Sequence, residues 1–227
     1  MKQLIIFSMM IFISLSVYAN DIYVNQSGAT LDLDITQDGQ NNTVGSSGTA
    51  SSVIGATTNL AITQVGSNNV MTFDVNGATY TGTFSVTGSS NNIDFNCDSG
   101  GSNSSCGTAT ASVVWVGSSN DIDIDIGETS SATSATVGIT GASGSDSNTI
   151  LGTVDGNSAI LTLSVNGDTN NFLVDIDGNG DSVGHTYIHT HTGSIADVDI
   201  TQSGIYDNMV TLTTVGDNHD IDITQTD

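Results

Sequence analysis

LAITQVGSNNV, residues 60–70, holds an apolar strand, a glutamine, a glycine and an asparagine pair in eleven residues. The same Ile-Thr-Gln returns at 35–37, 200–202 and 223–225. Eleven is also a spacing: Gln26 to Gln37, Gln64 to Val75 to Val86, and Val154 to Val165 to Ile176 are each eleven apart, with a glycine two residues beyond every one. Six or seven residues at about 3.3 Å each make an ordinary strand, which leaves four for a turn. Two such arms make a flattened coil of about 22 residues, and coils that stack make an all-β solenoid. The apolar period of two and the density of glycine argue against helix.

The turns carry one theme: VGSNN, TGSSNN, VGSSND and NGDTNN all follow a strand with glycine and then small polar residues, the types that tolerate left-handed backbone. Longer intervals point to insertions near 45–57 and 97–107 in a single repetitive domain over 20–227. In the C-terminal part Asp155, Asp177, Asp199 and Asp222 lie 22 or 23 apart, and Asp175, Asp197 and Asp220 form a parallel series. Val154, Ile176, Val198 and Ile221 run between them, so the expected stack puts these inward and the aspartates in outward ladders.

Why a strand should close on glutamine follows from the stack. A buried amide is costly unless paired. In a stack each amide can bond its like one coil away, at about 4.8 Å, and in doing so sets the register. Gln26, Gln37, Gln64, Gln202 and Gln225 are the expected ladder residues, with Gln37/Asn42 and Gln64/Asn69 as the leading pairs.

Residues 1–19, MKQLIIFSMMIFISLSVYA, have one lysine, a short apolar run broken by serines and a small-residue end, the pattern of a secretory signal peptide cut after Ala19. Lys2 is the only Lys or Arg in a chain with 24 acidic residues, so the exported part has no cation to meet phosphates and nucleic acid is excluded as a partner. Cys97 and Cys106 flank DSGGSNSS, and in an exported protein they read as a disulfide.

These residues resemble the curlin repeat, the unit of curli, the extracellular amyloid fibres of bacteria. That repeat runs Ser, five residues, Gln, one, Gly, two, Asn, one, a small apolar residue, three, Gln. Thr58, Gln64, Gly66, Asn69, Met71 and Val75 follow its spacing, and Gln37-Asp38-Gly39-Gln40-Asn41-Asn42 matches its centre. Gln26 and Gln37 stand eleven apart as the paired glutamines of that family do; Gln202-Ser203-Gly204 has its asparagine one place late, at Asn208. The likeness covers 22–45, 58–92 and 196–227; the middle keeps the rhythm with Val, Ile or Trp115 in place of Gln. It implies a self-assembling subunit of a curli-like fibre in biofilm matrix or surface adhesion, secreted to the medium or the bacterial surface. It also implies partners: further copies, related fibre subunits, a nucleator and outer-membrane export machinery.

The ends agree with that reading, since a strand begins at Ile22 and DIDITQ runs almost to Asp227, with no proline or lysine to block an edge. The rival is a monomeric acidic cation-binding adhesin. No enzyme and no cofactor are expected, because evenly repeated aspartates suit a surface better than one pocket. Calcium or another divalent cation is the one ion the pattern accommodates. Asp175, Asp177, Asn179 and Asp181 have partial calcium-loop spacing, but Thr186 stands where a bidentate Glu belongs. His185, His189 and His191 share a strand face, expected to be outward and solvated, with a three-histidine metal site as the alternative. A binder of ice or mineral needs a regular Thr-x-Thr or Asp-x-Asp array, and the sequence reads as the Asp version.

Overall fold

The computed structural model describes residues 21–39, 43–45, 51–66, 68, 70–97, 106–127, 134–156, 158–177, 185–204 and 208–226. Residues 1–20 with the signal-peptide segment, and Asn42, Asn69, Asn179 and Asp181, lie outside them.

Among the described residues all regular structure is strand: β1 (Asp21–Ile22), β2 (Asn25–Asp38), β3 (Thr43–Val44), β4 (Ser51–Val65), β5 (Val70–Thr87), β6 (Asn92–Cys97), β7 (Cys106–Val116) and β8 (Asp121–Ile126). There follow β9 (Ser134–Gly141), β10 (Thr149–Asp155), β11 (Ala159–Asn166), β12 (Asn171–Asp177), β13 (Thr186–Thr192), β14 (Asp197–Ser203), β15 (Met209–Val215) and β16 (Asp220–Thr226). Every pairing is parallel, and from β5 onward each strand pairs with the one two places along, the connectivity of a solenoid. The predicted all-β solenoid is therefore the fold.

Two sheets result. The first runs through β1, the leading parts of β2, β4 and β5, then β3 and the even strands β6 to β16; the second runs through 30–38, 57–65 and 79–87 and then the odd strands β7 to β15. In the first three coils one long strand bends through both sheets; further along, a turn divides them. Between the sheets lies a buried core in which Tyr80 of the second sheet stacks on Phe95 of the first, ring centroids 4.8 Å apart. Phe84 tilts against the same Phe95 ring at 5.4 Å. The core needs glycine at two points. A Cβ on Gly82 would strike the Tyr80 hydroxyl, and one on Gly141 would come within 2.4 Å of the Trp115 ring.

The 22-residue coil is real but is the minimum. Val53, Val75 and Cys97 stack at intervals of 22, as do Val154 and Ile176, whereas Cys97 to Ile126 takes 29 and Ile176 to Gln202 takes 26. The insertion expected over 45–57 is shorter than that, because β4 resumes at Ser51, whose Oγ accepts the Val24 N–H at 3.1 Å, and pairs in register through Gly55. Cys97 and Cys106 are disulfide-bonded, both fully buried, and tie the end of β6 to the start of β7.

Candidate assembly surfaces

The glutamines divide by register. Gln37 lies against Gln64, and Gln64 Nε2 donates to Gln37 Oε1 at 2.8 Å; both are buried. Gln202 lies against Gln225, and Gln225 Nε2 donates to Gln202 Oε1 at 2.9 Å. Gln26 corrects the expectation. It lies opposite Val53, in the first sheet, while Gln37 and Gln64 are in the second, so among the described residues no amide ladder includes it. Its row reads Gln26, Val53, Val75, Cys97, Ile126, Val154, Ile176, Gln202 and Gln225: amides at the two ends, apolar side chains between.

The polar ladder that does run through the middle is made of asparagines at the turn before each first-sheet strand. Asn91, Asn120, Asn148 and Asn170 are each 2% exposed, and the first three each hand the backbone N–H to the next one's side chain: Asn91 to Asn120 Oδ1 at 2.9 Å, Asn120 to Asn148 Oδ1 at 2.8 Å, Asn148 to Asn170 Oδ1 at 3.0 Å. The series lapses at Ala196, and His219 resumes it, Nδ1 accepting the Ala196 N–H at 3.4 Å. The residue before each member has positive φ, from Ser90 at 59° to Ile195 at 60°. The signal was present in the sequence as the recurrent turn, but the left-handed residue is the one before the asparagine as well as the glycine. That leaves the Asn side chain to turn inward and bond along the stack.

The aspartates point outward on the first sheet, as expected, but the ladders are shorter. Asp155 lies against Asp177, Asp199 against Asp222 and Asp197 against Asp220. Asp177, however, meets Ser203 in its row, Asp199 meets Leu173 and Asp175 meets Thr201. The longer coil between β12 and β14 shifts the rows by four residues, because the inward set Phe172, Val174 and Ile176 lands on Val198, Ile200 and Gln202. An even shift keeps every side chain on its face, so alternation alone could not reveal it. Upstream, Asp94 lies against Asp123, and Asp74, Asp121 and Asp125 stand on the same face. Burial, and then the neighbouring Asp121, raises the Asp94 carboxyl above the ordinary range; burial and then Asp94 raises Asp74; burial, Asp177 and Asp155 raise Asp175. Like charges at strand spacing repel. Among the described residues no group of three or more potential ligands comes together to hold a metal ion.

The histidines are inward, against expectation. His185, His189 and His191 are fully buried, because Tyr187, His189 and His191 fall in the inward rows of Leu161, Leu163 and Val165. Tyr187 Oη and His189 Nδ1 are 2.9 Å apart, His191 Nε2 donates to the Gly167 carbonyl at 2.8 Å, and the His191 and His219 rings meet edge-on at 5.2 Å. Burial, followed by His191 and His219, lowers His189 to about 3, so it is neutral in the fold.

The last described rung is uncovered on its inward side. Ile221 and Ile223 are 38% and 45% exposed, whereas Val198 and Ile200 one rung inside are 0% and 2%. Compared with protein-family models, with curated proteins and with solved structures, the chain matches none.

Proposed function

We propose that this chain is a secreted structural subunit that polymerises head to tail into an extracellular, curli-like fibre by continuing its parallel stack from one copy to the next. The observation that carries the reading is the first-sheet row with glutamines at both ends. Extending the row past Gln225 brings Gln26 of a following copy into register with it, continuing the Gln202–Gln225 amide pair and giving Gln26 the partner that Val53 is not. The same extension places Val24 on Ile223 and Ile22 on Ile221, apolar on apolar. Such a heterologous contact does not close on itself and so yields a filament. A role in biofilm matrix or adhesion follows from a secreted fibre, and the buried disulfide is in keeping with an oxidising compartment.

Against assembly works the aspartate face, which must be screened when copies stack. Polymerisation is therefore expected to need salt or divalent cations and to slow in EDTA at low ionic strength. The test is electron microscopy with fibre diffraction of the purified chain, in salt, with and without calcium. Fibres with a meridional repeat of about 4.8 Å are expected. Particles that stay monomeric in every buffer would overturn the reading. The acidic first sheet favours the second reading, a monomeric cation-binding adhesin, and saturable calcium binding by such monomers would establish it.

A further inference from the structure

The outward faces of the two sheets differ in charge. The first rung of the second sheet, 30–38, carries Asp32, Asp34 and Asp38 outward, but beyond it residues 57–65, 79–87, 108–116, 134–141, 159–166, 186–192 and 209–215 contain no Asp, Glu, Lys or Arg, inward or outward, in a chain whose formal net charge is −23. What points outward there is threonine, serine and branched aliphatic. One row reads Asn59, Thr81, Thr110, Thr136, Ile160, Thr186. The row beside it holds Ala61, Thr83, Ser112, Gly138, Thr162, Ile188, and the next holds Ser85, Val114, Thr140, Ser164, Thr190. The array of threonines that the sequence did not display as a run is thus assembled by stacking. Val114, Val116, Ile160, Met209 and Val215 on this face are 40%, 43%, 43%, 49% and 58% exposed.

We infer that the seven uncharged rungs of this face are a lateral interface for a second copy of the same chain, so that two solenoids pack sheet against sheet with their first-sheet aspartates turned away from each other. Charge decides the partner. Two copies that are each strongly acidic repel wherever aspartate faces aspartate, and the seven rungs of this sheet beyond 30–38 are a broad surface on which they can meet without it. Area agrees. Seven rungs at about 4.8 Å and strands of about seven residues at 3.3 Å give roughly 800 Å² per copy, the size of a standard stable interface. In-register rows of Thr, Ser and Val can interdigitate as dry zippers do, with stacked hydroxyls bonded along their own row. Other occupants fit less well. The aromatics of these strands, Tyr80, Phe84, Trp115 and Tyr187, are all buried, so no ring is offered to a sugar. The absence of cations denies an anionic lipid surface its usual anchor. The inference does not rest on the fibre reading, since lateral pairing is open to soluble chains and filaments alike.

The test is a mass. In fibres, mass per unit length is measured by scanning transmission microscopy; in the absence of fibres, sedimentation of the soluble chain reads the same quantity. The wild-type chain is expected to show two copies per axial repeat, or a dimer. Ser112→Asp with Thr140→Asp, and separately Ser112→Lys with Thr140→Lys, should each halve that mass, and mixing the two variants should restore it. Thr153→Asp with Asn171→Asp, outward on the first sheet, should leave it unchanged. A wild-type chain of single mass overturns the inference even where a variant fails to fold, as does pairing that survives both double substitutions. A single-mass wild type that adsorbs to ice also overturns it, and assigns the face to an ordered solid.

Discussion

One inward row, followed along the second sheet, changes character: Gln37 and Gln64, then Val86, Trp115, Gly141, Val165 and His191. At its start two amides pair; four rungs in, Trp115 spreads over Gly141 and fills the interior of two coils. The first sheet shows the same contrast, with Gln202 and Gln225 at one end and Val75, Cys97, Ile126 and Val154 in its middle. The difference teaches how the fold divides its labour. Large apolar side chains supply burial where both neighbours are present, while amides occupy the outer coils, where water or a further copy can complete their bonds.

The comparison breaks most visibly at Trp115. Trp115→Ala should destabilise by about 3–5 kcal/mol, because the side chain is fully buried and its neighbours are held in two stacked strands. Chemical denaturation measures this, and Gly141→Ala in the wild type should also be destabilising, since the added Cβ collides with the ring.

The next effect is a pH dependence confined to the histidine end of the stack. His189 is held neutral with a folded pKa of about 3. Unfolded, it ionises near 6.5, so below that pH the unfolded state binds more protons and stability falls, through the window from 6.5 down to about 3. The loss attributable to this one group is about 2 kcal/mol at pH 5. His189→Leu should flatten that part of the profile, and hydrogen exchange should show the opening in β13 before the Trp115 coils. The first-sheet carboxylates act with the opposite sign. Asp74, Asp94 and Asp175 have raised values, so they oppose folding at neutral pH, and mild acid relieves them as pH falls through the raised pKa. Neutralising Asp94→Asn should therefore stabilise at pH 7 and do nothing at pH 3.

Asn148→Ala should cost about 1–3 kcal/mol, since it strands the buried Asn120 N–H. The converse sharpens the point: Ala196→Asn places an acceptor where the series lapses and should stabilise by about 1 kcal/mol. The smallest effect belongs to the end pair. Gln64→Leu removes the amide donor that meets Gln37 Oε1 and should cost about 1 kcal/mol, while Gln37→Leu with Gln64→Leu should cost less than the single, because apolar groups replace both partners and what is then lost is the Gln37 Nε2 bond to the carbonyl of half-buried Thr43 at 3.2 Å. A double substitution as costly as the single would show that the pair is not what holds that coil.

Much of this was legible in the chain as written. The eleven-residue rhythm, the glycine turns and the Val/Ile alternation identify coils, sheets and the side chains that face in along β8, β10 and β12. The pairing of Gln37 with Gln64 and of Gln202 with Gln225 was readable from the repeated Ile-Thr-Gln. The facing of the histidines was not, since in Thr-Tyr-Ile-His-Thr-His-Thr both parities offer an apolar residue, Tyr187 on one and Ile188 on the other; only the rows of β11 choose. The neutral face was hidden for a related reason. Its threonines are scattered through seven strands and become an array only when the strands lie side by side.

What the sequence determined by itself is periodicity: which residues alternate, where turns fall, and that the product is a parallel stack of β coils. What only the tertiary structure decided is register. An insertion of four residues between β12 and β14 preserves every inward and outward position yet moves Asp177 from Asp199 onto Ser203 and sets Gln202 over Ile176. Alternation has a period of two and cannot detect an even slip. The packing of large side chains against the neighbouring coil can, because Phe172 finds its place over Val198 in one register only.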